Sequence, residues 1–203
     1  MTHFDHYAVK LTMAMEEAFL DDPYGEGAVS NSNILHIFAE LHFCPGDDDE
    51  PTELNRVGTA SGLLLHVGRV IDARKVSVRQ TLDQMSSEEF SYYEALFDTR
   101  TDYWKESYTD KLPGHPSNLF IVERMNIDNE HRGHGVGLAL MNFMLNSALL
   151  PNETVVALHP FAMGHESDDV KAEEIGTAKL ERYWKRAGFK KLRGSHVYTR
   201  FIQ

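Results

Sequence analysis

The pattern of apolar and polar positions predicts two strands and one helix in the first half of the chain. The segments Asn33–Phe43 (NILHIFAELHF) and Val57–Ile71 (VGTASGLLLHVGRVI) are rich in Ile, Leu, Val and Phe, which is typical of strands. Between them, Pro45–Pro51 contains a run of acidic residues that predicts an exposed loop, so we expect an antiparallel hairpin with a long connection. Ser77–Phe97 then has apolar residues at helical spacing, which predicts a helix.

The second half of the chain alternates strands and helices. Three runs predict strands, namely Leu119–Ile127, Thr154–Leu158 and Gly194–Ile202. A helix predicted over Gly135–Leu150 is apolar nearly all round, so it should be buried between layers until Pro151 stops it. Glu173–Ala187 is an amphipathic pattern in which Glu181 precedes Lys185 by four residues, a favourable spacing for an ion pair. The expected fold class is therefore α/β (mixed α+β), a mixed sheet with helices on both faces.

Composition and charge narrow the possible functions. The chain has 203 residues, 42% of them apolar, and we expect one domain over residues 1–203. Its apolar stretches are too short for a membrane helix, and no basic segment followed by an apolar run opens it, so we expect neither membrane insertion nor a secretory signal. The net charge of −11, without a long basic cluster, disfavours nucleic-acid binding. Cys44 is the only cysteine, which excludes an intrachain disulfide and favours the cytoplasm.

A glycine-rich segment between a predicted strand and a predicted helix carries the candidate chemistry. Five residues after Ile127, the sequence Arg132–Gly133–His134–Gly135–Val136–Gly137 leads directly into the helix. Glycines let a ligand approach the backbone closely, and the unpaired N–H groups of a helix's first turn favour a phosphate or pyrophosphate. The P-loop pattern fails because Leu138 and Ala139 follow the last glycine, and the dinucleotide pattern fails because the glycines are spaced G-x-G-x-G.

These residues resemble the GNAT superfamily, the acyl-CoA-dependent N-acetyltransferases. RGHGVG matches the family's R/Q-x-x-G-x-G/A loop, and it follows a strand, Val122–Ile127 (VERMNI), and a short spacer as it does in that family. Farther on, Tyr183–Phe189 (YWKRAGF) resembles the family's helix-to-strand ending. The resemblance is clearest over residues 119–201, and it implies a GNAT-like mixed, mostly antiparallel sheet that is splayed between the fourth and fifth strands.

The resemblance also implies a site for acetyl-CoA as co-substrate. Arg132 and the backbone amides of residues 133–137 would hold the pyrophosphate, and the main chain of Met125, Asn126 and Ile127 would hydrogen-bond the pantetheine arm. The thioester would then lie in the gap beside the strand Thr154–Leu158.

Two further positions depart from the family's usual residues. Thr177 stands where many members have an asparagine that contacts the cofactor arm. Trp184 stands where the family usually has a tyrosine that protonates the leaving thiolate, and an indole N–H cannot act as that acid. Trp184 would donate a hydrogen bond to the thiolate or pack on the pantetheine. The adjacent Tyr183 is turned about 100° around the helix, so it would serve as the acid only if the helix is rotated or distorted.

Two residues are candidates for the base that accepts the amine proton. Strand alternation predicts that Glu123 shares a face with Met125 and Ile127, and a carboxylate there matches a position that the family often uses as a base. The alternative is a solvated or ion-paired glutamate. His159 follows the next strand and titrates near neutral pH, so it is the second candidate base, or else a structural histidine before Pro160.

The remaining expectations concern metals, the acceptor and partners. The histidine pairs His131/His134 and His3/His6 lack neighbouring carboxylates or cysteines at ligand spacing, so no metal site is expected. The expected activity is transfer of an acetyl group to an amine of a small molecule, a peptide N-terminus or a lysine. The aspartates at 47–49 hint at a cationic acceptor such as a polyamine or an aminoglycoside. The alternative function is a non-catalytic acyl-CoA-binding regulatory or interaction module. A homodimer is possible.

Overall fold

A mixed seven-stranded sheet forms the framework of the chain. The computed structural model describes residues 6–15, 19–20, 29–30, 33–46, 49–73, 76–161 and 170–203. The strands there are β1 (Tyr7–Met15), β2 (Phe19–Leu20), β3 (Val29–Ser30), β4 (Ile34–Phe43), β5 (Arg56–Leu65), β6 (Asn118–Ile127), β7 (Thr154–Leu158), β8 (Lys190–Lys191) and β9 (Tyr198–Ile202). The helices are α1 (Val67–Ala73), α2 (Val78–Asp83), α3 (Ser87–Leu96), α4 (Glu106–Thr109), α5 (Val136–Leu145) and α6 (Val170–Arg186).

The strand order confirms the predicted fold class. The sheet runs β1-β4-β5-β6-β7-β9-β8, and β2 pairs with β3 in a separate two-stranded ribbon. All neighbouring strands of the large sheet are antiparallel except β6 and β7, which are parallel. The parallel pair is thus formed by the fourth and fifth strands of the order. None of the helices in the described part of the chain combines the length and the apolarity that crossing a membrane requires.

The parallel pair opens into a splay halfway along β6. The strand β6 has ten residues and β7 has five, and their ladder ends where Val122 lies opposite Leu158. Beyond that point, residues 124–127 stay paired with β5 on one edge. Among the described residues no strand covers its other edge. The main chain of this half-strand is therefore open to a ligand along one side.

Hydrophobic cores cover both faces of the sheet, as the sequence predicted. The side chains of one face pack beneath α5 and the end of α6, a cluster that includes Leu64, Phe120, Val122, Leu140, Met144 and Trp184. The side chains of the other face pack beneath α1, α2 and α3, a cluster that includes Leu63, Ile121, Val70, Leu82, Tyr93 and Leu96. Successive residues of β5 and β6 contribute to opposite clusters, because strand side chains alternate between faces.

The hairpin of β4 and β5 is confirmed, but three predictions for the first half are wrong or incomplete. The strand predicted over Val57–Ile71 ends at Leu65, and helix α1 follows because its apolar residues are buried at helical spacing. The helix predicted over Ser77–Phe97 is two helices, because the hydroxyl of Ser86 accepts the N–H groups that start α3. Strand β1, which pairs with β4 along its whole length, was not predicted.

Three details of the second half also differ from prediction. Helix α5 ends at Leu145 and is buried on one face only, since Phe143 is 49% exposed. The last strand begins at Tyr198 rather than at Gly194, because a tight turn precedes it. Glu181 pairs with Lys191 at 3.1 Å instead of with Lys185, since β8 lies beside α6 there.

Candidate active site

The glycine-rich loop is open on the side where the predicted ligand would bind. Gly133 and Gly135 have φ values of 84° and 78°, and a Cβ built on either would meet no atom within 4 Å. Gly135 is the N-cap of α5, so the N-cap residue offers no side-chain acceptor to the helix start. The N–H groups of the first helical turn lack intrahelical acceptors, and they carry the positive end of the helix dipole. The loop is therefore open to solvent and carries donors suited to an anion.

Arg132 is anchored at the end of β6. Its Nε donates to the carbonyl of Ile127 at 2.6 Å, and Nη2 donates to Oδ1 of Asn126 at 3.4 Å. The side chain is exposed, so the remaining guanidinium donors face solvent beside the loop. The structure thus brings the strand end and the loop together. His134 is exposed in the same loop, whereas Val136 is buried under it.

An aromatic cluster that the sequence did not reveal packs against the turn that precedes the loop. The hydroxyl of Tyr7 on β1 lies 2.9 Å from Nδ1 of His131, in the turn that precedes Arg132. The ring of Phe43 on β4 packs against the rings of both residues, at 5.3 Å and 5.2 Å. No local sequence pattern links residues so far apart along the chain. Among the described residues, no group of His, Cys, Asp and Glu is arranged to hold a metal ion, and His3 lies outside them.

Gly137 serves a different purpose from the first two glycines. A Cβ at this position would lie 2.6 Å from the hydroxyl oxygen of Tyr183 and 3.6 Å from the sulfur of Met125. The Tyr183 oxygen accepts a hydrogen bond from the N–H of Leu138, and burial raises the pKa of Tyr183 to about 12. Gly137 therefore provides the space in which α6 brings a phenol against the start of α5.

The structure brings Tyr183, rather than Trp184, to the loop. Trp184 is only 6% exposed, and its ring packs edge-on against Phe189 in the core. A contact of this indole with a bound ligand is therefore not supported by its position. Thr177 lies two turns earlier on α6 and is half-buried.

Strand β6 contains a β-bulge at Glu123. Ser61 of β5 lies opposite Arg124, and the next residue of β5, Gly62, lies opposite Val122. Glu123 is therefore the extra residue, and Glu123 and Arg124 together face the single residue Ser61. Bulges of this kind turn two successive side chains toward the same side of a sheet.

The bulge overturns the predicted orientation of Glu123. Met125 and Ile127 pack against the α5 cluster, which also contains Val122. The charge of Glu123 instead acts on Tyr92 of α3, on the opposite face. The expectation that Glu123 shares a face with Met125 and Ile127 is wrong, because strict alternation does not continue across a bulge.

The surroundings of Glu123 raise its pKa above the ordinary value. The side chain keeps contact with solvent, but the protein around it removes enough water to disfavour the charged form, and this is the largest effect. Glu89 and Glu88 of α3 raise the pKa further. The electrostatic effect of His36 and a hydrogen bond from the hydroxyl of Ser61 lower the pKa of Glu123 without cancelling the shift.

His159 lies across the mouth of the splay from Glu123. His159 directly follows β7, and Glu123 is the first residue of β6 beyond the parallel ladder. The ring of His159 stacks on Tyr92, with centroids 4.5 Å apart and an angle of 22° between the planes. Burial lowers the pKa of His159, and His196 lowers it further, so the imidazole is neutral at pH 7. Both candidate bases are therefore near one tyrosine.

Comparisons with known proteins find likenesses among solved structures only. No protein-family model matches the chain, and no curated protein matches it. Arabidopsis thaliana NAA60 in complex with a bisubstrate analogue is similar, with 15% identity and a TM-score of 0.40, over 87% of this chain and 79% of that one. The same protein in complex with acetyl-CoA has 14% identity and a TM-score of 0.40, over 95% and 100% of the two chains. By its strand order, single parallel pair and splay, this chain has the fold that the GNAT resemblance implied.

Proposed function

We propose that this chain is an N-acetyltransferase that transfers an acetyl group from acetyl-CoA directly to an amine. The observation that carries the proposal is the open loop of Gly133 and Gly135 at the start of α5, next to the uncovered edge of β6. An anion site and an uncovered strand edge together suit a ligand with a pyrophosphate at one end and an amide-containing arm at the other. When bound, acetyl-CoA supplies the acetyl group as a thioester.

In this proposal, the binding residues are those around the loop. The amides of residues 133–137 and the outward donors of Arg132 hold the pyrophosphate, since a guanidinium and helix N-terminal amides both favour phosphate oxygens. The main chain of Met125, Asn126 and Ile127 holds the arm through its uncovered edge. Thr177 stays a predicted contact of the arm.

The proton transfers fall to residues at the splay. Forming the amide C–N bond releases a proton from the amine, and breaking the C–S bond requires a proton for the thiol. Glu123, with its raised pKa, accepts the first proton at a carboxylate oxygen, and neutral His159 is the alternative acceptor. Tyr183 is the candidate donor of the second, because its pKa of about 12 keeps it protonated at neutral pH and its oxygen already accepts a hydrogen bond from Leu138.

A pair of glycine variants tests the proposed binding loop. Gly135 and Gly194 share a φ of 78° and open space at the Cβ position, but Gly194 lies in the turn before β9. An alanine at either position should cost about 1–2 kcal/mol, because L-residues are strained in the left-handed region. Acetyl-CoA should raise the melting temperature of the parent and of Gly194→Ala, and it should fail to do so for Gly135→Ala, whose Cβ projects into the anion site. An equal rise in all three proteins would contradict the proposal.

The second candidate function is a non-catalytic module that binds acyl-CoA. It is favoured by the burial of Trp184 where the family usually has its acid, which leaves proton donation to Tyr183 alone. The two functions differ in turnover: steady-state release of free CoA that depends on an added amine supports the enzyme. Thermal stabilisation by acetyl-CoA without any amine-dependent release supports the module.

A further inference from the structure

An open groove lies on the half of the sheet face that α1, α2 and α3 leave uncovered. It has a volume of about 430 Å³, and residues from β1, β4, β5 and β6 line it, including Lys10, Thr12, Phe38, Glu40, Ser61 and Arg124. Glu123 borders it through Ser61, whose hydroxyl donates to the Glu123 carboxylate. The groove therefore reaches the proposed proton acceptor from the face opposite to α5.

In the described part of the chain, the charged side chains that line the groove form ion pairs, except for Arg124. Glu40 pairs with Lys10 at 3.4 Å and with Arg56 at 3.1 Å, and these partners lower the pKa of Glu40. Arg124 is exposed, and within the described ranges it has neither an ion pair nor a hydrogen bond through its side chain. The lining thus presents one uncompensated cation, as far as the described residues go.

The bulge sets this cation beside the carboxylate. Glu123 and Arg124 both face Ser61, so a negative and a positive side chain leave the sheet from adjacent positions on the same side. A ligand that carries an ammonium and a carboxylate on one carbon has the complementary pair of charges at a similarly short spacing. Arginine is well suited to the carboxylate, because its planar donors pair with both oxygens.

Resting on the proposed function, we propose that the acceptor is an α-amino acid, with its amine at Glu123 and its carboxylate at Arg124. The ring of Phe38, which is 44% exposed in the groove, offers an apolar surface for the amino acid's side chain. A polyamine fits this groove poorly, since Arg124 and Lys10 would repel its further charges. The lining includes none of the described residues of the acidic Pro45–Pro51 loop, which had hinted at a cationic acceptor.

The test compares an amino acid with its amide, which differs only in the carboxylate, and with a polyamine. Acetyl transfer to L-phenylalanine, L-phenylalanine amide and spermidine is measured with the parent, with Arg124→Gln and with Arg69→Gln. Arg69 is the matched control, because it is another exposed arginine without a side-chain partner among the described residues, but it lies on α1 away from the groove lining. The amine of the amide is less basic, so a larger fraction of it is unprotonated and reactive at neutral pH. A preference for the free acid therefore cannot come from amine ionisation.

We expect the parent to prefer phenylalanine over its amide by at least about tenfold in kcat/KM. Arg124→Gln should lower kcat/KM for phenylalanine about 10- to 100-fold, as expected for a lost charge-assisted bond, and change the value for the amide less than about twofold. Arg69→Gln should behave as the parent. Equal use of acid and amide, or a preference for spermidine, would overturn the inference while leaving the acetyltransferase proposal intact.

A binding measurement separates the two proposals where transfer is absent. Calorimetric titration of phenylalanine into CoA-saturated parent and Arg124→Gln protein reports the amino-acid site without turnover. Binding to the parent that Arg124→Gln abolishes would support the amino-acid site even if no acetyl transfer occurs, and the enzymatic proposal alone would then fail. Absence of both binding and transfer would overturn the inference.

Discussion

At the scale of single residues, the bulge in β6 separates Glu123 from Met125 and Ile127. Val122 lies in the α5 cluster, so alternation turns Glu123 to the opposite face, and the inserted residue returns Met125 to the α5 cluster. The carboxylate of Glu123 faces Ser61, His36 and the glutamates of α3, and it keeps a raised pKa. A carboxylate with a raised pKa holds a proton more strongly, which suits a group that must take one from an amine.

The first prediction concerns this carboxylate. Glu123→Gln should lower kcat about 10²- to 10⁴-fold, because glutamine keeps the size but cannot accept a proton. The acetyl-CoA dissociation constant should stay unchanged, and the acidic limb of kcat/KM against pH, with a midpoint above 4.5 in the parent, should flatten. Glu94→Gln, an exposed position on α3, is the control and should behave as the parent. An unchanged acidic limb in Glu123→Gln would move the role to His159.

The stability of the same variant provides an independent check of the raised pKa. Above its folded-state pKa, ionised Glu123 disfavours the folded chain, because the unfolded chain holds that charge in water at no such cost. Below 4.5, the ordinary value, both states bind the proton and the difference vanishes. Glu123→Gln should therefore melt at a higher temperature than the parent at pH 7, and the two melting temperatures should converge as the pH falls below that value. A lower melting temperature for the variant at pH 7 would contradict this environment.

At the scale of elements, the contact between α5 and α6 depends on the third glycine of the loop. Gly137→Ala places a methyl group 2.6 Å from the hydroxyl of Tyr183, which α6 holds in place, and such overpacking costs about 1–3 kcal/mol. In a Tyr183→Phe background the oxygen is gone, so the same substitution should cost less than about 1 kcal/mol. Urea unfolding of the four proteins in this double-mutant cycle measures the coupling.

A second helical glycine provides the control for this cycle. Gly68 of α1 has its nearest external atom at 3.7 Å, an ordinary contact. Gly68→Ala should be neutral or stabilising, because alanine favours a helix more than glycine does. An equal cost of Gly137→Ala with and without the Tyr183 hydroxyl would show that the steric contact is not the cause.

The sequence predicted those elements whose local pattern decides their structure. The loop at Arg132–Gly137, the strand before it and the order of the second half all follow from short-range periodicity and glycine placement. The break at Ser86 was also readable, since a serine followed three residues later by a glutamate, here Glu89, is a helix-start pattern. The spacing of apolar residues across the break imitated one continuous helix.

The missed features depend on contacts between distant segments. The bulge at Glu123 is defined by its register with Ser61, 62 residues away, and nothing near Glu123 in the sequence encodes it. The rotation of α6, which brings Tyr183 to Gly137, is set by the packing of Trp184 and Phe189 in the core. Such features arise from tertiary packing, so only the folded chain reveals them.

At the scale of the whole molecule, the splay is where the two faces of the sheet meet. The loop and Tyr183 belong to the face of α5, whereas Glu123 and the groove belong to the face of α3. In the proposed reaction, acetyl-CoA and the amine would therefore approach from opposite sides and meet between β6 and β7. This arrangement keeps the two ligands from competing for the same surface.

The two tryptophans of the chain report on these two faces separately. Trp184 is buried in the cluster beneath α5, and Trp104 packs against the cluster beneath α3. Both clusters draw on alternate residues of β5, β6 and β7, so neither can come apart without dismantling strands that the other needs. The proposed single domain therefore implies one cooperative unfolding transition.

The last prediction follows from that shared framework. Trp104→Phe and Trp184→Phe each leave one tryptophan, whose fluorescence reports on one face. In each variant, the urea midpoint from this fluorescence should equal the midpoint from far-ultraviolet circular dichroism. Comparing the two probes within one variant controls for any destabilisation by the substitution itself. Acetyl-CoA at about a hundredfold over its dissociation constant adds about 2.7 kcal/mol of stability. With a typical urea dependence, both midpoints should rise by about 1–3 M. Fluorescence and circular dichroism midpoints that differ within one variant would show that the faces unfold independently. A ligand-induced rise in the midpoint of Trp104→Phe alone, which retains Trp184, would show that acetyl-CoA stabilises only the α5 side.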